Sequence, residues 1–269
     1  MSKITVLIPV HNGENFIAEA LRSIEMQDCR DFKVLVSNNC STDGTAAIIA
    51  DFAKRIPIDV VTHAKKKTMV ENFNFVFESV ITPYCMFLCH DDCLSASDAL
   101  STALKVMEDN PDVTGVFCDL NYIDAKGKVL MRRPFNRSGR LTGDELGRAS
   151  ILQARNLFGI PVLMRNSAIA GLRGTEQYSY VGDVEYYWRM SQKGPVYHVP
   201  RALLANRYHG GNSTWKLLSL AKKQFFLMAE SHGIKLSAYD KARISLTILV
   251  TDIQKRLFGL YAQYRERIS

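Results

Sequence analysis

The sequence predicts an α/β fold: a mostly parallel, doubly wound sheet followed by a helical C-terminal extension. Three observations carry that expectation. Short apolar runs, each ending in a polar loop and leading into a helical period, recur through the first hundred residues. Units of strand, loop and helix at this pace build parallel sheets with crossover helices. The chain has 269 residues, 47% of them hydrophobic and 23% charged, which suits one such domain with an appendage and excludes bulk disorder. From Lys216 to the end the pattern is helical, with no further strand signal.

The elements follow in order. Ile4 to Pro9 is a buried-strand run stopped by His11-Asn12-Gly13, and Phe16, Ile17, Ala20, Leu21 and Ile24 then form one apolar helix face. Phe32 to Ser37 is a second strand, running into the turn-rich Asn38 to Gly44 and a helix through Ile48, Ile49 and Phe52. Ile58 to Val61 is a third strand. Residues 69–80 read as a helix with Val70, Phe73 and Phe77 on one face, and Tyr84 to Cys89 as a fourth strand ending at His90-Asp91-Asp92. A helix near 97–109, a strand from Thr114 and a hairpin over Ile123 to Val129 come next. Residues 132–150 read as polar and irregular, Phe158 to Met164 as a strand or turn near the site, and Gly182 to Gln192 as a helix stopped at Gly194. Three polar clusters, His11 to Asn15, Asn38 to Asp43 and His90 to Asp92, all fall at strand carboxyl ends. Doubly wound sheets bind ligands there, so the clusters are expected to meet in one crevice.

The opening MSKITVLIPVHNG has too short an apolar stretch for a secretion signal, and no apolar run approaches the roughly 20 residues of a membrane span. Six cysteines are then expected as reduced thiols of a cytoplasmic protein. Cys85, Cys89 and Cys93 lack the paired spacing of structural zinc, and Cys85 and Cys89 read as small core residues of a strand. The net charge is +7, but Lys216 to Ser269 holds ten Lys and Arg against four Asp and Glu. The first 215 residues are therefore near neutral, which argues against a nucleic-acid-binding sheet. Leu217, Leu218, Phe225, Phe226, Leu257, Phe258 and Leu260 interleave with the tail's charges. That pattern suits docking on an anionic membrane, with packing on the domain or on another subunit of a homo-oligomer as the alternative.

Several residues can do chemistry. Asp91-Asp92 at a strand end can hold a hard divalent cation, which clamps a diphosphate; the plainer reading is an acidic turn capping a helix. Asp183 and Glu185 open a helix, where the dipole stabilises a carboxylate, or one of them serves as a general base; residues two apart do not share a face. Arg207 and His209, before Gly210-Gly211-Asn212-Ser213, suit phosphate or metal contacts on a closing loop. Lys65-Lys66-Lys67 follows the third strand on the crevice side. The chain lacks a P-loop, an early G-x-G-x-x-G and a G-x-S-x-G elbow.

Ile8-Pro-Val-His-Asn-Gly-Glu14, Val36-Ser-Asn-Asn-Cys-Ser-Thr-Asp-Gly-Thr45 and Phe87-Leu-Cys-His-Asp-Asp92, with Glu71-Asn-Phe-Asn74, Gly182-Asp183 and Arg207-x-His209, resemble a family 2 glycosyltransferase of the GT-A fold. The resemblance covers roughly residues 3–215 and divides the chain into a catalytic domain, 1–215, and a basic helical extension, 216–269. It implies a Rossmann-like, nucleotide-binding sheet and inverting transfer of a sugar from a nucleoside-diphosphate sugar, a UDP-sugar foremost, to a glycan or glycolipid acceptor in surface polysaccharide or lipid-linked glycan synthesis. It also implies a divalent cation, Mn or Mg. Pro9, Val10, Asn12, Glu14, Asn38, Lys67 and Asp91 would line the nucleotide. Asp91, Asp92 and His209 would hold the metal, Asp183 would be the catalytic base, and Arg207 and Ser213 would contact the phosphates. Asn38 stands where the family commonly has Asp, and Cys89 where the first Asp of Asp-x-Asp would be. The rivals are a nucleotidyltransferase on a similar sheet, which needs a Gly-rich basic loop after the first strand, and a sugar-nucleotide-binding protein without catalysis.

Overall fold

In the computed structural model, which describes residues 2–209 and 217–268 with side chains to residue 254, four strands form the N-terminal half of the sheet. They are β1 (Ile4–Val10), β2 (Phe32–Asn38), β3 (Ile58–Thr62) and β4 (Tyr84–Phe87), parallel to one another in the order β3-β2-β1-β4. The helices α1 (Ile17–Glu25), α2 (Thr45–Phe52) and α3 (Met69–Glu78) cross between them. Both faces of β1 are covered, so Val6 and Ile8 enter one core cluster while Leu7 enters the other. Helix α1 buries Ile17, Ala20, Leu21 and Ile24, the apolar face of its sequence. Helix α3 starts at a capping box, in which Glu71 N donates to Thr68 Oγ1 and Thr68 N donates to the Glu71 carboxylate. Its buried face is Asn72, Val76 and Phe77, whereas Val70 and Phe73 are half-buried. Asn72 turns inward because Ser37 Oγ on β2 donates to its Oδ1 at 2.5 Å.

Beyond β4 the sheet becomes mixed. Strand β9 (Pro161–Arg165) lies antiparallel between β4 and β6 (Gly115–Ile123), and β6 pairs parallel with the long β10 (Val196–Arg207). The short β5 (Cys93–Leu94) and β8 (Gly139–Leu141) flank β10, and β7 (Val129–Arg133) forms a hairpin with β6. Helix α4 (Ala99–Asp109) buries Ala99, Leu100, Ala103 and Met107. The stretch 132–150, expected to be irregular, instead contains the end of β7, β8 and most of helix α5 (Gly143–Leu152). Glycines masked that helix, and packing explains them. A Cβ on Gly147 would lie 2.1 Å from Trp188, on the helix α7 (Gly182–Ser191) that packs against α5.

A short helix α6 (Asn166–Ile169) follows β9, and α8 (Ala221–Ser231) and α9 (Ala238–Ile268) end the described chain. Phe225, Met228 and Ile244 join Phe117, Tyr186 and Trp188 in the second core cluster. Leu218 and Phe225, expected among the apolar residues of a surface-docking tail, are therefore buried on the domain. Among the tail residues whose side chains are described, the exposed large apolar ones are Leu220 and, on α9, Tyr239, Leu246, Leu249, Val250 and Ile253; the side chains of Leu257, Phe258 and Leu260 lie outside the described residues. No described helix is long and apolar enough to cross a membrane.

Candidate active site

The loops after β1 and β2 are laced to each other. Asn12, in the left-handed region at φ 52°, donates its backbone N–H to Ser41 Oγ and accepts Thr42 N on Oδ1 at 2.9 Å. Gly13 N donates to Thr45 Oγ1 and Glu14 N to Asp43, while Glu14 Oε2 accepts Gly44 N. The network includes two donors to Asp43 from Thr45, which hold its carboxyl below the usual range against the opposing effect of burial. Asn38 is buried, and its Oδ1 accepts Ser41 N at 3.0 Å. Val10 O accepts Asn39 N, and the Asn39 side chain bonds both backbone groups of Lys67. His11 Nδ1 lies 2.9 Å from Asn39 O and its Nε2 2.7 Å from Lys66 Nζ. Pro9 sits half-buried at the end of β1. Thus Pro9, Val10, Asn12, Glu14, Asn38 and Lys67 fall on one edge of the sheet, as the strand ends dictate.

The chain after β4 reaches that edge at Cys89, Asp91 and Asp92, whose ligand atoms all lie within 4.8 Å of one another. His209 Nε2 lies 2.9 Å from Asp91 Oδ2. Burial works to raise the Asp91 carboxyl, but His209 and His90 hold it below the ordinary range. Asp92 differs. Its two oxygens accept Asn206 Nδ2, and Oδ1 also takes Arg207 N at 2.8 Å. Burial, with Asp91 beside it, pushes Asp92 up to about 8. Asp92, expected to ligate metal beside Asp91, is the more buried of the two and is tied by Asn206 and Arg207 to the end of β10, while it stays within ligand reach of Asp91 and Cys89. Arg207, expected at the phosphates, is 1% exposed. Its guanidinium donates to the carbonyls of Asp91, Asp124 and Ala125 and to Glu19. Such a fork fully ringed by acceptors acts as a strut. Ser213 lies outside the described residues.

Asp91, ionised and backed by His209, fits a hard or borderline ion. The Cys89 thiol does so less well, because burial and the nearby carboxylates push it far above its ordinary range. Cys85, by contrast, is a wholly buried core residue of β4, as its strand position predicts.

Asp183 lies in a cavity of about 800 Å³ between β6, β7, α7 and α9. Its surface opens to the cavity, yet protein surrounds it closely, and this burial raises its carboxyl. Two donors oppose the shift: Val184 N to Oδ1 at 2.8 Å and Asn156 Nδ2 to Oδ2 at 2.7 Å. Glu185, the alternative base, is buried and held in a two-point pair by Arg189 Nε and Nη2, one turn away. Asp183 is thus the member of the pair that meets the cavity. Sequence reasoning missed Asn156, Arg133 and Arg155. The Asn156 Oδ1 accepts Phe158 N and Gly159 N, which fixes the amide with its NH₂ toward Asp183. Arg133 bonds Tyr122 Oη and Asn156 O, and with Arg155 it lines the cavity. The signal was faint: one Asn before a Phe-Gly turn in a stretch with no strong period.

The family model of glycosyl transferase family 2 matches residues 5–169. An uncharacterized glycosyltransferase of Rickettsia conorii is 32% identical over 131 residues, 48% of this chain and 21% of that protein. The chain spans about a fifth of the length of the first curated relatives it matches. Residues 1–349 of Staphylococcus aureus TarS in complex with UDP superpose with a TM-score of 0.66 at 16% identity, over 92% of this chain and 70% of that one. The mannosyltransferase PcManGT of Pyrobaculum calidifontis in complex with GDP-Man and Mn2+ gives 0.61 at 15% identity, over 99% and 75%. These likenesses establish a shared GT-A fold. With both crevice loops and Asp91-Asp92 inside the matched segment, the chain belongs to glycosyl transferase family 2.

Proposed function

We propose that this protein transfers a sugar from a nucleoside-diphosphate donor, with UDP as the favoured carrier, to an acceptor hydroxyl with inversion at the anomeric carbon. One observation carries the reading: Asn206 and Arg207, which bond the Asp92 carboxylate and the Asp91 carbonyl, also line the cavity that holds Asp183. A donor anchored at Asp91 therefore presents its anomeric carbon beside the carboxylate of Asp183. Pro9, Val10, Asn12, Glu14, Asn38 and Lys67 line the nucleotide, and the acceptor, a glycan or glycolipid, occupies the cavity above Asp183. Residues 1–215 form the catalytic domain and 216–269 an extension that docks it on an anionic membrane at the cytoplasmic face.

Asp183 takes the proton of the acceptor hydroxyl as its oxygen attacks the anomeric carbon, and the bond to the diphosphate breaks on the opposite side. Burial makes the carboxylate more basic, while the Asn156 and Val184 N–H groups oppose that shift and aim its oxygens. Asp91 and His209 would hold a divalent ion, which when bound neutralises charge on the departing diphosphate. Both TarS bound to UDP and PcManGT bound to GDP-Man and Mn2+ share this fold and support the choice. The test is a panel of nucleotide sugars scored for binding and diphosphate release, with manganese and with chelator. Failure of every donor to bind or to be cleaved overturns the transferase reading.

A further inference from the structure

We propose that Arg133 is a positioning residue for the reaction at Asp183: its guanidinium fixes the Asn156 amide that aims the base, and it sets a positive charge nearby without pairing with that carboxylate. The proposal rests on Asp183 as the base and concerns what readies it for a proton. Neighbours on a strand point to opposite faces, so Arg132 and Arg133 at the end of β7 take different partners. Arg132 Nη2 donates to the buried Asp119 at 2.8 Å and to Pro200 O. Asp119 Oδ1 also accepts Phe135 N at 3.0 Å, which pins the chain on both sides of Arg133. Arg133 itself lines the Asp183 cavity. Its Nη1 donates to Tyr122 Oη at 3.1 Å, its Nη2 donates to Asn156 O at 3.0 Å, and its Cζ lies 4.7 Å from the centre of the Phe135 ring. The same ring closes on the turn at 156–159, where a Cβ on Gly159 would meet it at 3.0 Å.

That turn carries the aiming group. Asn156 Nδ2 donates to Asp183 Oδ2 at 2.7 Å, and Val184 N donates to Oδ1. Each carboxylate oxygen has a second lone-pair site, which stays open to a substrate hydroxyl. A direct two-point arginine pair would fill those sites. Arg133 instead rests on two neutral acceptors, and its charge helps lower the Asp183 carboxyl against the raising effect of burial. The other groups around Asp183 do not supply that charge. Cys89 after β4, Tyr180 before α7 and Tyr187 on α7 are pushed up by burial and are neutral at pH 7. Asp91 and Asp92, which act with Asp183 on the Cys89 thiol, are acids themselves. The described α9 residues on the cavity wall are uncharged, and Arg207 on β10 is turned to Glu19 and to backbone carbonyls. Arg155 lines the cavity, but among the described residues its side chain bonds neither Asn156 nor Asp183.

The experiment follows the Asp183 carboxyl carbon by NMR across pH, in the full chain labelled with carbon-13 aspartate and with no donor present; Asp183→Asn assigns the resonance. Arg133→Met removes both charge and fork and should raise the Asp183 titration by about one pH unit, a roughly ten-fold change in its ionisation constant. Arg133→Gln, which keeps a donor for Asn156 O, should raise it about as far, and Arg133→Lys, which keeps the charge, should return most of the shift. Exchange of the Asn156 side-chain amide with water should quicken about five-fold in Arg133→Met. Two neighbours serve as controls. Arg132→Met loosens the clamp on Asp119 and should leave the titration unmoved, and Arg155→Gln should shift it far less than Arg133→Met. A titration that stays put in Arg133→Met and Arg133→Gln overturns the proposal. An equal shift in Arg132→Met reduces Arg133 to a part of the hairpin's stability, an equal shift in Arg155→Gln spreads the effect over all cavity charge, and either overturns it too. Parent-like exchange at Asn156 overturns the aiming role. A nucleotide-sugar panel that fails beside a shifted titration strikes the transferase reading alone, whereas a working panel beside an unmoved titration strikes Arg133 alone.

Discussion

In the loops after β1 and β2, the polar side chains are engaged with one another: Asn12 with Thr42, Glu14 with Gly44, Asn38 with Ser41, and Asp43 with Thr45. The cavity around Asp183 is lined from separate elements, β6, β7, α7 and α9 among them, and α9 packs only part of its surface on the core. Under the proposed function the first region is the donor side, a pre-formed mould whose shape comes from backbone held by side chains, and the second is the acceptor side, a chamber built around Asp183. Mutations should therefore fail differently on the two sides, through shape and stability on the first and through turnover on the second.

The largest effect is expected at the chamber. Asp183→Asn should lower turnover by about 10²–10⁴-fold with UDP binding intact, as measured by steady-state kinetics beside calorimetry; near-normal turnover removes Asp183 from its role. On the mould, Gly13→Ala should cost about 1–3 kcal/mol in chemical denaturation. A Cβ there would meet Val10 Cγ2 at 2.6 Å and His90 Cδ2 at 2.7 Å. Asn156→Asp tests how the chamber aims its base. The change keeps the acceptor for Phe158 and Gly159 N–H but replaces the donor to Asp183 with a second carboxyl. A carboxyl that loses a donor ionises at higher pH, so the acid limb of the kcat profile should move up. Turnover at neutral pH should fall about ten-fold and recover in alkali, whereas a merely destabilised protein would show an unshifted limb.

Asp92 gives a stability signature. Its folded-state value of about 8 lies above that of the unfolded chain, so the native state retains a proton that the unfolded chain gives up near pH 4. Stability from this group should therefore decline as pH rises from about 4 to about 8. Asp92→Asn should flatten that decline in melting temperature by a few degrees. The smallest effect is expected for Asn38→Asp, which keeps the acceptor for Ser41 N. It should stay within about 0.5 kcal/mol of the parent in stability, and a larger loss would show that the mould depends on charge as well as shape.

The strand ends were legible because burial and turn chemistry are local: Ile4 to Val10 must be a covered strand, and His11-Asn12-Gly13 must stop it. The same logic put His11 to Asn15, Asn38 to Asp43 and His90 to Asp92 at the carboxyl edge of the sheet, whereas Asp183 and His209 entered through a helix start, a glycine loop and the family resemblance. What escaped was set by partners distant in sequence. Arg207 looked like a phosphate ligand until its acceptors, Glu19 and the carbonyls at 91, 124 and 125, came together around it. Residues 132–150 read as irregular, although Gly143 and Gly147 sit in a helix where Ser191 and Trp188 occupy the space of a Cβ. Asn156 carried no pattern at all, since its importance comes from a carboxylate 27 positions later.

The end of β10 has a consequence for how the molecule is made. Arg207 closes on Glu19 across 188 positions, and Asn206 closes on Asp92 across 114. During synthesis the first four strands emerge while the carboxylates they must position still await their partners. The crevice is finished only when the tip of β10 leaves the ribosome. Hybrid enzymes face the same boundary. A splice at residue 169, where the family match ends, would carry over the loops of the mould and leave behind Asp183, Asn206, Arg207 and His209. Exchange of specificity between relatives should therefore succeed with junctions placed beyond residue 209, where mould and chamber travel as one piece.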